Sequence, residues 1–303
     1  MEQGLVAVKG AGDLATGVIH RLSRAGFAVM ATELPEPTVV RRTVAFAEAV
    51  TLGQITVEEI TARLASSIAE VQATLADGQI PIVVDPDGIL LKQMCPTVLV
   101  EATLAKYNRG VTMDDAPIVI ALGPGYEAGK DVHAVIETNR GHNLGRVYLH
   151  GCAEPNTGVP GAIGGYTIER LLRAPCAGTL YGVRQIGDLV QAGETVAVVR
   201  ALGTAEARAL GMAGASPATT NFEGDNEVVP VVAAIAGILR GLVRDGLHVS
   251  SGMKVGDIDP RAAREHCFSI SDKSRAIAGG VLEAILYLLN RRQIDYAQNR
   301  GLS

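Results

Sequence analysis

The residues best suited to chemistry begin at Gly10-Ala11-Gly12-Asp13-Leu14-Ala15, a GxGxxA run with Gly17 two residues beyond. A short apolar run, Leu5 to Lys9, leads into it, and Leu14, Val18 and Leu22 follow at the spacing of one helix face that Gly26 ends. In that setting Gly10 permits a sharp turn, Gly12 lets a pyrophosphate approach the backbone, and the small Ala15 lets helix and strand pack closely. Glu33 ends the next apolar run, Phe27 to Thr32, about 20 residues after Gly12, the place of a carboxylate that accepts from a ribose hydroxyl. Gly10, Gly12, Asp13, Ala15, Gly17 and Glu33 are therefore the expected cofactor-binding set. Arg41 and Arg42 join it because guanidinium forks suit phosphate, although a solvated basic pair explains them equally well.

A second cluster starts at Gly123-Pro124-Gly125, where successive amides can form an anion nest. Val132 to Thr138 is rich in β-branched residues and predicts a strand, so this glycine loop joins strand to strand. His133 and Glu137 share a face of that strand, and Arg140 and His142 lie in the loop beyond. Arg140 and His142 complete the expected cofactor site, and His133, Glu137 and His142 are the candidate acid–base residues. Two histidines and one glutamate at this spacing fit no common ligand pattern, so no metal is expected. Asp85 reads as a turn residue beside Pro86 and Gly88, and Cys152 as a small buried hydrophobe more readily than as a reactive thiol.

These residues need a scaffold, and the pattern supplies one. Thr56 to Asp77 carries apolar positions at three- and four-residue steps, which predicts an amphipathic helix, and strand-like runs come at 80–84, 97–101 and 117–122. Strands alternating with helix signals predict a Rossmann-like, mostly parallel sheet over residues 1–168, closed by a turn-rich loop from Ala153 to Gly161. Beyond it, Gly178, Leu180, Gly182, Gly187, Val190, Gly193 and Val196 recur as Gly237, Leu239, Gly241, Gly246, Val249, Gly252 and Val255, every pair 59 residues apart. This internal repeat predicts a small β domain over 169–260 with an Ala/Gly/Thr-rich insertion at 200–230. The pattern is similar to the duplicated half of the barrel-sandwich hybrid of biotinyl and lipoyl carrier domains. No lysine lies between Lys130 and Lys254, so a carrier's attachment point is missing. Residues 261–303 predict a helical segment capped by Ser271, whose Gly279-Gly280 pair implies close packing back on the first domain. The predicted fold class is α/β: the Rossmann-like domain, the hybrid β domain and a C-terminal helix.

Composition excludes several classes. With 27 basic and 32 acidic residues the net charge is −5, and without a long basic block nucleic acid is not an expected partner. Four scattered cysteines with no CxxC pair fit a reducing compartment. The uncharged run from Val228 to Leu239 contains Pro230 and Gly237 and is too short to span a bilayer, and the N-terminus lacks a signal-peptide pattern, so the expected location is the cytoplasm.

The blocks GAGDLATGVIHRLSRAGF, TVVRRTVAFAEAV, ALGPGYEAGKDVHAVIETNRGHNLGR, AEPNTGVPG, GILRGLVRDG, VGDIDPR and ISDKSRAIAGGVLEAIL together resemble the YqeB-type accessory family of selenium-dependent molybdenum hydroxylases. The GPGYEAGKDVHAVIETNRGH and GDIDPR blocks are the specific ones, and the 200–230 insertion fits the pattern least. The resemblance implies a maturation factor, related in its first domain to XdhC-type proteins, that binds NAD(P) or a molybdenum cofactor dinucleotide and assists cofactor insertion into a molybdenum hydroxylase client. A homo-oligomer is compatible with it. The alternative is an NAD(P)-dependent oxidoreductase of a small substrate, with His133 or His142 as acid–base group.

Overall fold

A computed structural model describes residues 4–155, 158, 161–201 and 227–300. The chain divides into two compact units: residues 1–37, 45–158 and 270–303 form the first, and residues 38–44 and 159–269 the second.

In the first unit β1 (Val6–Lys9) runs through the Gly10 turn into α1 (Asp13–Arg24) and returns as β2 (Val29–Glu33), parallel to β1. After the short α2 (Ala49–Leu52), β3 (Gln54–Val57) and β4 (Ile60–Ala65) form an antiparallel hairpin, followed by α3 (Ile68–Ala76) and β5 (Ile80–Val84). Next come α4 (Ile89–Gln93), β6 (Val98–Glu101), β7 (Ile118–Leu122), β8 (Glu127–Ala128), β9 (Ala134–Ile136), β10 (Val147–Tyr148) and β11 (Gly151–Cys152). The main sheet has the order β10-β9-β7-β6-β1-β2-β5-β4-β3, with β8 and β11 paired apart from it. The helix α5 (Asp272–Arg300) packs beside α1 and against β7, β9 and β10.

The expected helix over 56–77 is replaced by the β3–β4 hairpin and α3. Ile55, Thr56, Val57, Ile60 and Thr61 favour extended backbone, and burial alternates through Ile60 and Ala62. The helix starts only where Ser67 caps it by accepting from the Glu70 amide, while Glu70 accepts back from the Ser66 amide.

Residues 171–259 of the second unit contain the repeat. Here β12 (Leu171–Arg173), β13 (Gly178–Gly182), β14 (Leu189–Val190), β15 (Thr195–Ala201), β16 (Val228–Val232), β17 (Gly237–Leu242), β18 (His248–Val249) and β19 (Lys254–Asp259) make two four-stranded antiparallel sheets, β12-β19-β17-β14 and β16-β15-β13-β18. The sheets enclose one core that includes Leu180, Val199, Leu239 and Val255. Equivalent positions exchange bonds between copies: the Gly187 amide donates to the Leu239 carbonyl, and the Gly246 amide to the Leu180 carbonyl. The same symmetry explains the first glycine of each copy. A Cβ on Gly178 would sit 2.2 Å from the Arg200 carbonyl oxygen, and one on Gly237 2.5 Å from that of Asp259.

The expected fold class is therefore corrected in both halves. The large sheet is mixed, bounded by antiparallel β3 and β10, and among the described residues only α1 and α3, of 12 and 9 residues, are crossover helices of more than two turns. A Rossmann-like domain places a full helix between successive parallel strands, whereas here the parallel pairs β6–β7 and β7–β9 are joined through residues 102–117 and 123–133 with no α-helix. In the second unit the two long strands of each copy lie in one four-stranded sheet and its short strand in the other, so the repeat builds two interlocked antiparallel sheets in place of the single hybrid barrel expected. The reason is that each copy's short strand, β14 or β18, bonds to the other copy's long strand, β17 or β13. The bulk of the 200–230 insertion lies outside the described residues.

The GDIDPR block contributes a buried ionic cluster to the second unit. Asp259, 1% exposed, binds Arg261 at 2.6 Å and lies 3.5 Å from Arg240, and Asp257 lies 3.3 Å from Arg170. Burial pushes the Asp259 carboxyl up, but hydrogen bonds and charge from Arg261, with the charge of Arg240, hold it below the ordinary carboxylate range.

Two stability predictions follow from these contacts. Gly279 and Gly280 adjoin on α5, yet a Cβ on Gly280 would meet the Gly145 carbonyl oxygen at 2.2 Å and one on Gly279 meets nothing within 4 Å. Gly280→Ala should cost about 1–3 kcal/mol and Gly279→Ala should stabilise by up to about 1 kcal/mol in urea unfolding; changes of one sign in both would exclude this packing. Asp259→Asn should cost about 3–5 kcal/mol at neutral pH because Arg240 loses its buried partner. A depressed native pKa gives stability that is present above the unfolded value of about 3.9 and lost as pH falls, so the gap between variant and wild type should close in acid. A gap independent of pH would contradict the pairing.

Candidate functional site

The carboxyl ends of β1, β2, β6, β7 and β9 lie along one edge of the large sheet, the edge on which the sequence motifs converge. Gly10 turns the chain with φ +94°, its amide bonded to the Thr32 carbonyl. Gly12 is the N-cap of α1 and has no side chain to occupy the first-turn amides. Glu33 reaches back to the loop, one carboxylate oxygen accepting from the Ala11 amide at 2.9 Å and the other from the Leu34 amide at 2.8 Å. The loop is also braced from within the unit. The Ala47 amide donates to the Ala11 carbonyl, and the Phe46 amide to the Thr16 hydroxyl.

Other acids repeat the Glu33 arrangement. Glu101, 1% exposed, accepts from the amide and hydroxyl of Thr103 and lies 3.6 Å from Lys9 Nζ. Asp85 accepts from the Ile89 and Leu91 amides. Glu137 is fully buried, and its two oxygens accept from the amides of Asn139 and Glu154, each at 2.7 Å. Each acid fixes the loop that follows its strand.

The remaining motif residues divide. Gly123 bonds to the Ile136 carbonyl, and a Cβ on Gly125 would lie 2.2 Å from the Ala105 carbonyl oxygen, so backbone approach accounts for that glycine. Ala15 is buried inside α1, Asp13 is half-buried at the helix start, and Gly17 is where α5 crosses: a Cβ there would meet Ser274 Oγ at 2.2 Å. Arg140 forms a two-pronged pair with Asp272, the first residue of α5, both contacts at 2.8 Å. His142 is exposed in the following turn. His133 precedes β9, at the opposite end of that strand from Glu137, and its Nδ1 accepts from the Val119 amide. Burial, reinforced by the charge of Arg292, lowers its pKa, so the ring is held neutral with its proton on Nε2. Arg41 and Arg42 belong to the second unit, where Arg41 donates to the carbonyls of His266 and Ser269 and Arg42 to that of Leu242. Cys152 is exposed on β11.

Sequence reasoning missed one group. On α1, His20 meets Glu58 and Glu59, which form the two-residue turn of the β3–β4 hairpin. The signal was the Glu-Glu pair flanked by β-branched residues, hidden by reading that stretch as helix.

No family model matches the chain. The chain is 48% identical over 287 residues to "Uncharacterized protein YqeB" of Escherichia coli (strain K12), an alignment covering 95% of this chain and 48% of that protein. It thus spans about half the length of the curated relative it matches. Solved structures that align with it include an aspartoacylase family protein from Mesorhizobium loti, with a TM-score of 0.24 and 12% identity over 79% of this chain and 59% of that one. The ectoine utilization protein EutE (DoeB) from Ruegeria pomeroyi aligns with a TM-score of 0.25 and 12% identity, over 84% of this chain and 85% of that one. At such scores neither bears on the chemistry of this chain. The resemblance to YqeB read from the sequence blocks is supported along nearly the whole of this chain, over about half of that relative.

Proposed function

We propose that this chain binds a nucleotide-type anion, NAD(P) or the dinucleotide form of the molybdenum cofactor, at the loop before α1. On this reading it is an accessory protein in the maturation of a selenium-dependent molybdenum hydroxylase and hands cofactor to that client. The observation that carries the binding step is the uncapped start of α1 beside Glu33. The first-turn amides of a 12-residue helix carry partial positive charge suited to a phosphate. Glu33 is fixed through the Ala11 and Leu34 amides, and each of its oxygens retains a lone pair for a ribose hydroxyl. Gly10, Gly12 and Glu33 would hold the nucleotide, whose attached group would supply the redox or metal chemistry. The maturation role rests on the resemblance to the accessory family. The oxidoreductase alternative draws less support, because His133 is engaged by the Val119 amide at the far end of β9.

Gly12→Asp separates binding from folding. Gly12 has φ −65° and ψ −179°, a conformation open to any residue, and aspartate is a good N-cap, so the variant should fold with undiminished stability. Its carboxylate would occupy the first-turn amides and repel phosphate. In a strain lacking the protein, the hydroxylase polypeptide should accumulate inactive, wild type should restore activity, and Gly12→Asp should not. Fully active hydroxylase in the deletion strain would overturn the maturation reading, and full rescue by Gly12→Asp would overturn the binding site.

A further inference from the structure

His20 is 4% exposed, and its Nε2 has no hydrogen-bond partner. That atom lies 3.3 Å from Glu58 Oε2 and 3.3 Å from Glu59 Oε2, and the three atoms all lie within 4.8 Å of one another. Each carboxylate is anchored through its other oxygen. Glu59 Oε1 accepts from Arg24 at 2.9 Å, and Glu58 Oε1 accepts from Arg275 at 2.7 Å and from the Ile270 amide at 3.0 Å. The Oε2 atoms are thereby turned together toward the imidazole.

Two occupants of this point differ in geometry. A protonated imidazole would pull one carboxylate to about 2.7–2.9 Å, the length of a charge-assisted hydrogen bond. A cation bound tetrahedrally at about 2.1 Å holds neighbouring ligand atoms about 3.4 Å apart. Both separations match the second case. We propose that His20, Glu58 and Glu59 form a binding site for a divalent first-row metal ion, with Zn2+ the best fit to one imidazole and two carboxylates. The two carboxylates balance the charge of the ion, and Arg24 and Arg275 act as the outer partners that orient ligating carboxylates. His20 also lines a cavity of about 330 Å3 with Arg21, Arg24 and Arg275. The cavity adjoins the proposed site through His20, and its arginine lining suits water or a small oxyanion. The site depends on no part of the nucleotide-binding reading.

Equilibrium dialysis of the chelator-treated full chain against Zn2+, followed by metal analysis, tests it. Wild type should retain one equivalent, with a raised Tm on loading. His20→Gln and Glu59→Gln should each bind at least about tenfold more weakly and lose the Tm shift. Glu59 is half exposed, so Glu59→Gln keeps the test valid if His20→Gln does not fold. Zinc held by a cysteine or another histidine would be retained equally by the variants, which would overturn the proposal. So would a wild type that takes up no stoichiometric zinc.

Discussion

The organisation of the first unit depends on one repeated interaction: a carboxylate at the end of a parallel strand bonded to backbone amides of the loop that follows or adjoins it. Glu33, Asp85, Glu101 and Glu137 all do this, and three of the four are almost fully buried. A loop leaving a buried sheet exposes amides that have no ladder partner, and an unpaired buried amide costs about 1–3 kcal/mol. An ionised carboxylate satisfies two at once through charge-assisted bonds. It also fixes the electrostatics of the edge. Where an acid has taken the amides there is nothing left for a phosphate, whereas at the start of α1 Gly12 brings no oxygen of its own.

The second constraint is the crossing of α1 and α5. Gly17 admits Ser274, whose hydroxyl donates to the carbonyls of Asp13 and Leu14, and Gly280 admits the Gly145 carbonyl. With the sheet on one side and α5 on the other, α1 is buried from Leu14 to His20, far beyond the single apolar face visible in its sequence. That enclosure explains why a polar residue such as His20 is sequestered. It also explains why its partners come from the hairpin turn that α1 reaches instead of from solvent.

Legibility in the sequence followed the range of the interactions. The Gly10 turn, α1, β2 and Glu33 were readable because turn, helix and acid are set by residues within about 20 positions of each other. The repeat was readable because seven coincidences at one offset survive without any structural knowledge. The bond exchange between its copies was not, since spacing alone does not say which copy a short strand joins. Thr56 to Asp77 was misread because apolar steps of three and four fit a helix as well as a hairpin followed by a capped helix. The glycines were half legible: their closeness to something was clear, but at Gly17, Gly125 and Gly280 the approaching group is the protein's own chain. Arg140, expected to grip phosphate, holds Asp272 at the start of α5. A single sequence cannot distinguish an arginine that awaits a ligand from one whose partner is 132 residues away.

The two ends of α1 thus differ in what they offer a ligand. Its first turn presents amides and a partial positive charge, with Glu33 alongside. Its later turns carry His20 into a pair of carboxylates whose outer oxygens are tied to arginine. An anion at the first and a cation at the second would each satisfy groups that the fold has left converging, and both would bear on the same rigid helix. Because α1 is clamped between sheet and α5, neither ligand can be accommodated by moving it. Selectivity at each proposed site would rest on the groups that meet this fixed helix, the loop at 10–12 and the Glu58-Glu59 turn.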